Sequence, residues 1–322
     1  MSGKRVALAL ALLALLTAPF WVGGVYYVNI VSQILIYAVF AMGVNILLGY
    51  AGLVSLGHAG LFGIAAYATA IALSAGLPHS AAILVALIAT VAGTAVFAVL
   101  ALRATGIGFI MITLALGQII WGLAYRWISL TRGDNGVNVV ARPEILGLSL
   151  ASAEAFYYAT LAVFLLAVAV CAIFVASPFG ASLKGVRDQP RRMNALGYHV
   201  WGIRFCACLF SGLLTGIAGI LFVYYTQFIS PQSLSLTSSA EVVLMVISGG
   251  SGTLLGPLAG AALVVVIKNV ASAYIERWNM LLGAIFVAIV IFMPEGLVPG
   301  TTRLVRRLFK GRAARAAEDA RP

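Results

Sequence analysis

The chain has 322 residues, of which 62% are hydrophobic and 9% charged, with a mean hydropathy of +1.07. Soluble domains carry roughly 25% charged residues, so this chain lacks the polar surface to cover the two soluble domains its length would allow, and it falls outside that class. The net charge of +11 is not spread over a polar face as a nucleic-acid binder requires, and the 34 glycines keep no three-residue period. What remains is an all-α polytopic transmembrane bundle.

Taken in chain order, apolar runs over about 6–22, 28–48, 53–75, 80–102, 107–127, 156–177 and 204–225 each predict a crossing helix. Lys4 and Arg5 precede the first run as in a signal peptide. The run is longer than a usual signal core and no clear cleavage site follows Pro19, so it reads as a retained helix. A stretch over 239–272 and another over 279–293 complete the set. As one helix, 239–272 would measure ~51 Å against a ~30 Å hydrocarbon core. Gly249-Gly250-Ser251-Gly252 and Pro257 interrupt it, which predicts two shorter crossings with a turn near 249–253.

Charge fixes the expected orientation. Lys184, Arg187, Arg191, Arg192 and Arg204 face a lone Asp188, and the tail beyond 300 is again basic. Arg126, Arg132 and Arg142, by contrast, are balanced by Asp134, Glu144 and Glu154. Because Lys and Arg collect on the cytoplasmic side, both termini and the 178–203 loop are expected inside and 128–155 outside. That parity needs about ten crossings, with eight to ten compatible with the run lengths. The organisation is then one transmembrane domain over 1–300 and a basic tail over 301–322.

No phosphate-binding Gly-Lys-Ser/Thr loop and no His-Glu-x-x-His frame occurs, and the three cysteines lie in apolar runs without metal-ligand spacing. Neither catalysis nor a cofactor is expected. Asn45, His58 and Gln118 are polar within apolar runs; each either lines a passage or hydrogen-bonds between helices. Glu241 is acidic within such a run and reads either as a passage contact or as a carboxylate at a helix start after Ser238 and Ser239. Gly212 and Gly216, and Gly252, Gly256 and Gly260, recur at four-residue spacing, which on a helix makes a flat packing strip. Within 178–203, Pro190 begins a short helix from Arg191 to about Leu196 that Gly197 stops. This segment is either a docking element for a soluble partner or a solvated loop.

Longer strings carry a resemblance. The run from Asn45-Ile-Leu-Leu-Gly-Tyr-Ala-Gly through Ser55-Leu-Gly-His-Ala-Gly to Tyr67 resembles the permeases of branched-chain amino-acid ABC importers, as does Gly249-Gly-Ser-Gly-Thr-Leu-Leu-Gly-Pro257. Ser177-Pro-Phe-Gly180, Val186-Arg-Asp188, Ala195-Leu-Gly197 and Ser211-Gly212 are similar to the LivM-type subunit. Leu130-Thr-Arg-Gly-Asp-Asn-Gly136 and Phe228-Ile-Ser-Pro231 fit the same family. The resemblance implies a bacterial inner-membrane importer in which this chain pairs with a homologous LivH-type permease, two cytoplasmic ATPases and a periplasmic substrate-binding protein. It also implies that 178–203 couples to the ATPases through Arg187, Asp188, Arg191, Arg192, Ala195 and Gly197. The competing expectation is a stand-alone, ion-coupled carrier of small polar solutes.

Overall fold

In a computed structural model the described residues are 15–17, 19, 23–139, 142, 144–145, 148–274, 278–293 and 296–300. The expected first crossing, apart from residues 15–17 and 19, and the tail 301–322 lie outside them. Helix α1 (Val25–Asn45) runs on as a π-helical turn, Ile46–Ala51. Helices α2 (His58–Ser74), α3 (His79–Ala101), α4 (Ile107–Arg126), the single turn α5 (Ile128–Thr131) and α6 (Ala153–Ala176) follow. Then come α7 (Pro178–Asp188), α8 (Pro190–Ala195), α9 (Val200–Thr226), α10 (Leu236–Gly249), α11 (Gly256–Tyr274) and α12 (Trp278–Phe292). Five of them, α1 with its π turn, α3, α4, α6 and α9, are each long and apolar enough to cross a bilayer.

Local chemistry sets the helix starts. Ser152, Ser177 and Ser235 each accept a hydrogen bond from a backbone N–H three residues on, and Pro178 occupies the first position of α7. His199 Nδ1 does the same for α9, accepting from Gly202 N at 3.1 Å. The 239–272 stretch divides as expected: α10 stops at Gly249, and Gly250 (φ 115°) and Gly252 (φ 74°) turn the chain back into α11.

The core is built on α1 and α9. Of the most apolar window of each, 72% and 61% is buried within the chain, against 28%, 22% and 28% for α3, α4 and α6. Small residues on α9 allow the close approach. A Cβ at Gly212 or Gly216 would collide with Thr94 or Thr90 of α3, and one at Gly219 with the Phe62 carbonyl of α2. Phe40 stacks on Phe62 at 4.7 Å, and Phe174 on Phe210 at 4.1 Å, joining α1 to α2 and α6 to α9.

Both ends of the bundle are tied. At one, β1 (Val137–Asn138) pairs antiparallel with β4 (Phe228–Ile229), and β2 (Glu144–Ile145) forms a small hairpin with β3 (Leu148–Ser149). Here Arg142 donates to the carbonyls of Tyr224 (3.1 Å) and Tyr225 (3.4 Å) and lies 4.6 Å over the Phe156 ring. Burial lowers the pKa of this guanidinium from its usual value. At the opposite end α7, α8, the π turn and the 250–255 turn meet.

Two elements differ from the sequence reading. The predicted helix over 53–75 begins only at His58, because Gly52 takes a left-handed conformation (φ 69°) as it closes the π turn onto the Leu47 carbonyl, and residues 53–57 belong to no helix. The polar segment after Ser177 holds two helices, not one. Besides α8, close to its expected place, α7 forms because Leu183 and Val186 bury fully while Lys184 stays half-buried and the tip of Arg187 remains partly exposed at the edge of that face.

Candidate functional site

A continuous strip from Asn45 to Ala59 connects the basic helices to the middle of the bundle. Gly49, in the π turn, presents its carbonyl to the Arg187 guanidinium, whose Nη1 donates at 2.8 Å. The Arg187 stem lies over Gly52, where a side chain would strike Arg187 Cγ. Arg187 Nε is also held by Asp188 at 2.8 Å, with both side chains partly exposed, and Lys184 Nζ sits 5.6 Å over the Tyr50 ring. On the other flank, Asn45 Oδ1 accepts from Gly252 N and its Nδ2 donates to the Thr253 carbonyl, each at 2.9 Å. Thr253 Oγ1 closes the same turn by donating to the Gly250 carbonyl (2.7 Å) and accepting from Gly256 N (3.0 Å). One π turn thus joins α7 to the α10–α11 turn. Such turns interrupt regular helix bonding and recur at functional places.

Beyond Gly52 the chain is unwound, and side chains take over its backbone donors, as an apolar medium demands. Leu56 N donates to Thr113 Oγ1 at 3.2 Å, Gly57 N to Ser55 Oγ at 3.4 Å, and Ala59 N to Ser239 Oγ of α10 at 3.1 Å. His58 is buried, with Nδ1 2.8 Å from Ser55 Oγ and Nε2 2.9 Å from Ser211 Oγ on α9. Ser211 gives its own proton to the Gly43 carbonyl at 2.6 Å. Nε2 is therefore the protonated nitrogen, Nδ1 accepts from Ser55, and a neutral imidazole satisfies the network. Ser211 lies ~16 Å along α9, a helix of ~40 Å, so this clamp sits near mid-depth.

The other sequence-named residues fall in distinct places. Arg191, Arg192 and Ala195 are exposed on α8, which buries none of its residues, and Gly197 (φ 87°) ends it. Glu241 is buried on α10 and pairs with Lys268 of α11, its oxygens 3.1 and 3.3 Å from Nζ. Asn45, His58 and Glu241 each have their own partners. Gly256 and Gly260 line the α10–α11 contact, where a Cβ would run into the carbonyls of Gly250 and Met245. Gly252 departs from the helical strip expected of it: it belongs to the preceding turn, where its positive φ is needed. Lys268, Ser55, Thr113 and Ser211 were not singled out as site residues by the sequence reading. Lys268, the partner of Glu241, lies 27 residues further on, and no local pattern joins the two.

Residues 26–290 match the model of the family described as branched-chain amino acid transport system / permease component. The chain belongs to that family. It is 28% identical over 342 residues to the high-affinity branched-chain amino acid transport system permease protein LivM of Salmonella typhimurium, covering 96% of this chain and 78% of the relative. The Escherichia coli LivM is 28% identical over 325 residues, covering 92% and 76%. A shorter likeness, 29% over 138 residues and 40% of this chain, links it to the autoinducer 2 import system permease LsrC of Yersinia enterocolitica, of which it spans 38%. No solved structure matches the chain. It is a multi-pass membrane permease, and the joint from α7 to His58 lies within the family's matched region.

Proposed function

We propose that this chain is the LivM-type subunit of an ATP-driven importer of branched-chain or related amino acids in the bacterial inner membrane. It lines the translocation path together with a homologous LivH-type permease. A periplasmic binding protein delivers substrate, and two cytoplasmic ATPases act on the 178–203 segment. Both termini are then cytoplasmic, in keeping with the basic 178–204 region and tail. The observation that carries the reading is the hydrogen bond from Arg187 to the Gly49 carbonyl.

This bond gives a push on α7 and α8 a direct route into the interior. Arg191, Arg192 and Ala195 offer an exposed cationic face to an ATPase, and Gly197 sets the angle at which the chain returns to α9. Arg187, with Asp188 holding its guanidinium, transmits the movement to the π turn. Asn45 carries it to the α10–α11 turn, and residues 52–57 carry it to His58. The glycine contacts at Gly212 and Gly216, and at Gly256 and Gly260, let whole helices move as packed units.

The test is the double variant Arg191→Glu with Arg192→Glu in the complex reconstituted from this chain, the homologous permease, the two ATPases and the binding protein. Loss of substrate-stimulated ATPase activity, with basal hydrolysis retained, is the expected outcome. Normal assembly together with normal stimulation would remove α8 from the coupling route.

A further inference from the structure

The end of the bundle that carries α7 and α8 holds more positive charge than it neutralises. Residues 178–204 contain Lys184, Arg187, Arg191, Arg192 and Arg204 against one acid, Asp188, which Arg187 engages at 2.8 Å. Arg204, half-buried in the second turn of α9, is held differently from the others. Its Nε is fully enclosed by the chain and has no hydrogen-bond partner. Neither Nη is enclosed in this way, and among the described residues no carboxylate or carbonyl accepts from the guanidinium. The packed stem holds the head in place while its two terminal nitrogens stay accessible, and such a fork fits two oxygens of one phosphate. Depth selects among anions. Four residues on from Val200, Arg204 stands ~6 Å from the start of α9, and a ~40 Å helix overhangs a ~30 Å hydrocarbon core by ~5 Å at each end. The guanidinium is thus level with the lipid phosphates, whereas Arg191 and Arg192 are exposed on α8, outside the span. Trp201, three residues earlier on the same helix face, is 42% exposed and stacks on Phe205 at 5.0 Å. Tyr198, just ahead of the helix, is exposed as well. Exposed Trp and Tyr rings at the end of a span mark the membrane–water boundary.

We infer that Arg204 and Trp201 form a binding site for the headgroup of an anionic phospholipid in the leaflet at this end of the bundle. The phosphodiester accepts from Nη1 and Nη2 of Arg204, and the Trp201–Phe205 stack lies against the glycerol and the first acyl carbons. Lys184, Arg191 and Arg192 add a field that favours a headgroup of net negative charge over a zwitterionic one, whose own ammonium they repel. The lipid supplies the counter-charge that the chain lacks here. It also anchors the start of α9, the helix that follows the α7–α8 segment. The inference goes beyond the importer reading and holds whatever solute is carried.

The test titrates the purified full chain in detergent with phosphatidylglycerol and, separately, with phosphatidylcholine of the same acyl chains, and resolves the lipid adducts by native mass spectrometry. The wild type is expected to retain phosphatidylglycerol about tenfold more tightly, the scale of one charge-assisted bidentate contact. Arg204→Gln should abolish that preference. The double variant Arg191→Gln with Arg192→Gln, which removes two charges but leaves the site, should keep most of it. A wild type without preference, or an unchanged preference in Arg204→Gln, would overturn the site. Equal loss in both variants would also overturn it, because diffuse charge would then suffice. If Arg204→Gln kept the lipid preference but failed to assemble with the ATPases, the guanidinium would belong to a protein contact and the lipid site would be refuted. A second measurement needs no variant: phosphatidylglycerol with a photoactivatable headgroup is cross-linked to the wild-type complex in proteoliposomes. Adducts on the segment from Tyr198 to Cys208 support the site, and adducts confined to other segments refute it.

Discussion

Helices α3, α4 and α6 contrast with the strip running from Asn45 to Ala59. The first three are long, regular and mostly uncovered by the rest of the chain, with Ile88, Met111 and Ile173 more than 60% exposed. Their backbone bonds are closed within each helix, so they can face lipid with no help from neighbours. The strip is irregular and depends on others for its hydrogen bonds: Arg187, Thr113, Ser211, Ser239 and the 252–253 backbone. Backbone that relies on several neighbours moves when any of them moves. The contrast teaches that the periphery gives this permease its membrane fit, while the broken interior takes its shape from the neighbours that satisfy its backbone, which is what the proposed coupling route relies on.

The comparison breaks most severely at Gly260. Gly260→Val places side-chain atoms in the Met245 carbonyl and is expected to cost about 3 kcal/mol or more by overpacking. Loss of the monodisperse peak in detergent gel filtration is the readout, and a normal peak would mean that α10 and α11 separate easily. Next in size is Arg187→Ala. Removing a charged donor to Gly49 is expected to lower coupled transport about tenfold, the scale of one charge-assisted hydrogen bond. Assembly should survive, because both Arg187 and Asp188 are partly exposed; unaltered transport would exclude this bond from the route.

A smaller effect is expected from Asn45→Ala, which leaves Gly252 N and the Thr253 carbonyl without their side-chain partner. A loss of about 1–2 kcal/mol in apparent thermal stability is anticipated, accompanied by faster proteolysis at the 250–255 turn. Equal protease resistance in variant and wild type would show that the turn holds its shape unaided. The smallest effect belongs to the periphery: Ile173→Ala, at a 71% exposed position, should change stability by no more than about 0.5 kcal/mol. A large destabilisation there would place a protein partner, and not lipid, against α6.

Much of the fold was legible because apolar run length and breaking residues act locally. The divide in 239–272 followed from Gly249-Gly-Ser-Gly and Pro257, and α8 from Pro190 and Gly197. Helix α7 carried a readable signal as well, a Ser-Pro start with Leu183 and Val186 three residues apart, but its basic residues obscured the face. The unwinding of 52–57 was less accessible. Leu53, Val54 and Leu56 are apolar enough for a crossing helix, and the non-helical path is satisfied in part by the distant hydroxyls of Thr113 and Ser239, which no local pattern announces. For the same reason Glu241 read as a lone acid, since Lys268 is remote in the chain and close only after α10 folds back on α11.

By itself, the sequence determined that this chain is a helical multi-pass membrane protein, because hydropathy and charge asymmetry act through the solvent and need no knowledge of neighbours; its permease character lay in the resemblance of its longer strings to a family. It also determined where the chain turns, because proline and glycine restrict or free their own backbone. Only the tertiary structure decided what Arg187, Asn45, His58 and Glu241 hold. Hydrogen bonds and ion pairs depend on approach within about 3 Å, and the partners of these residues come from other helices, which only packing brings so near.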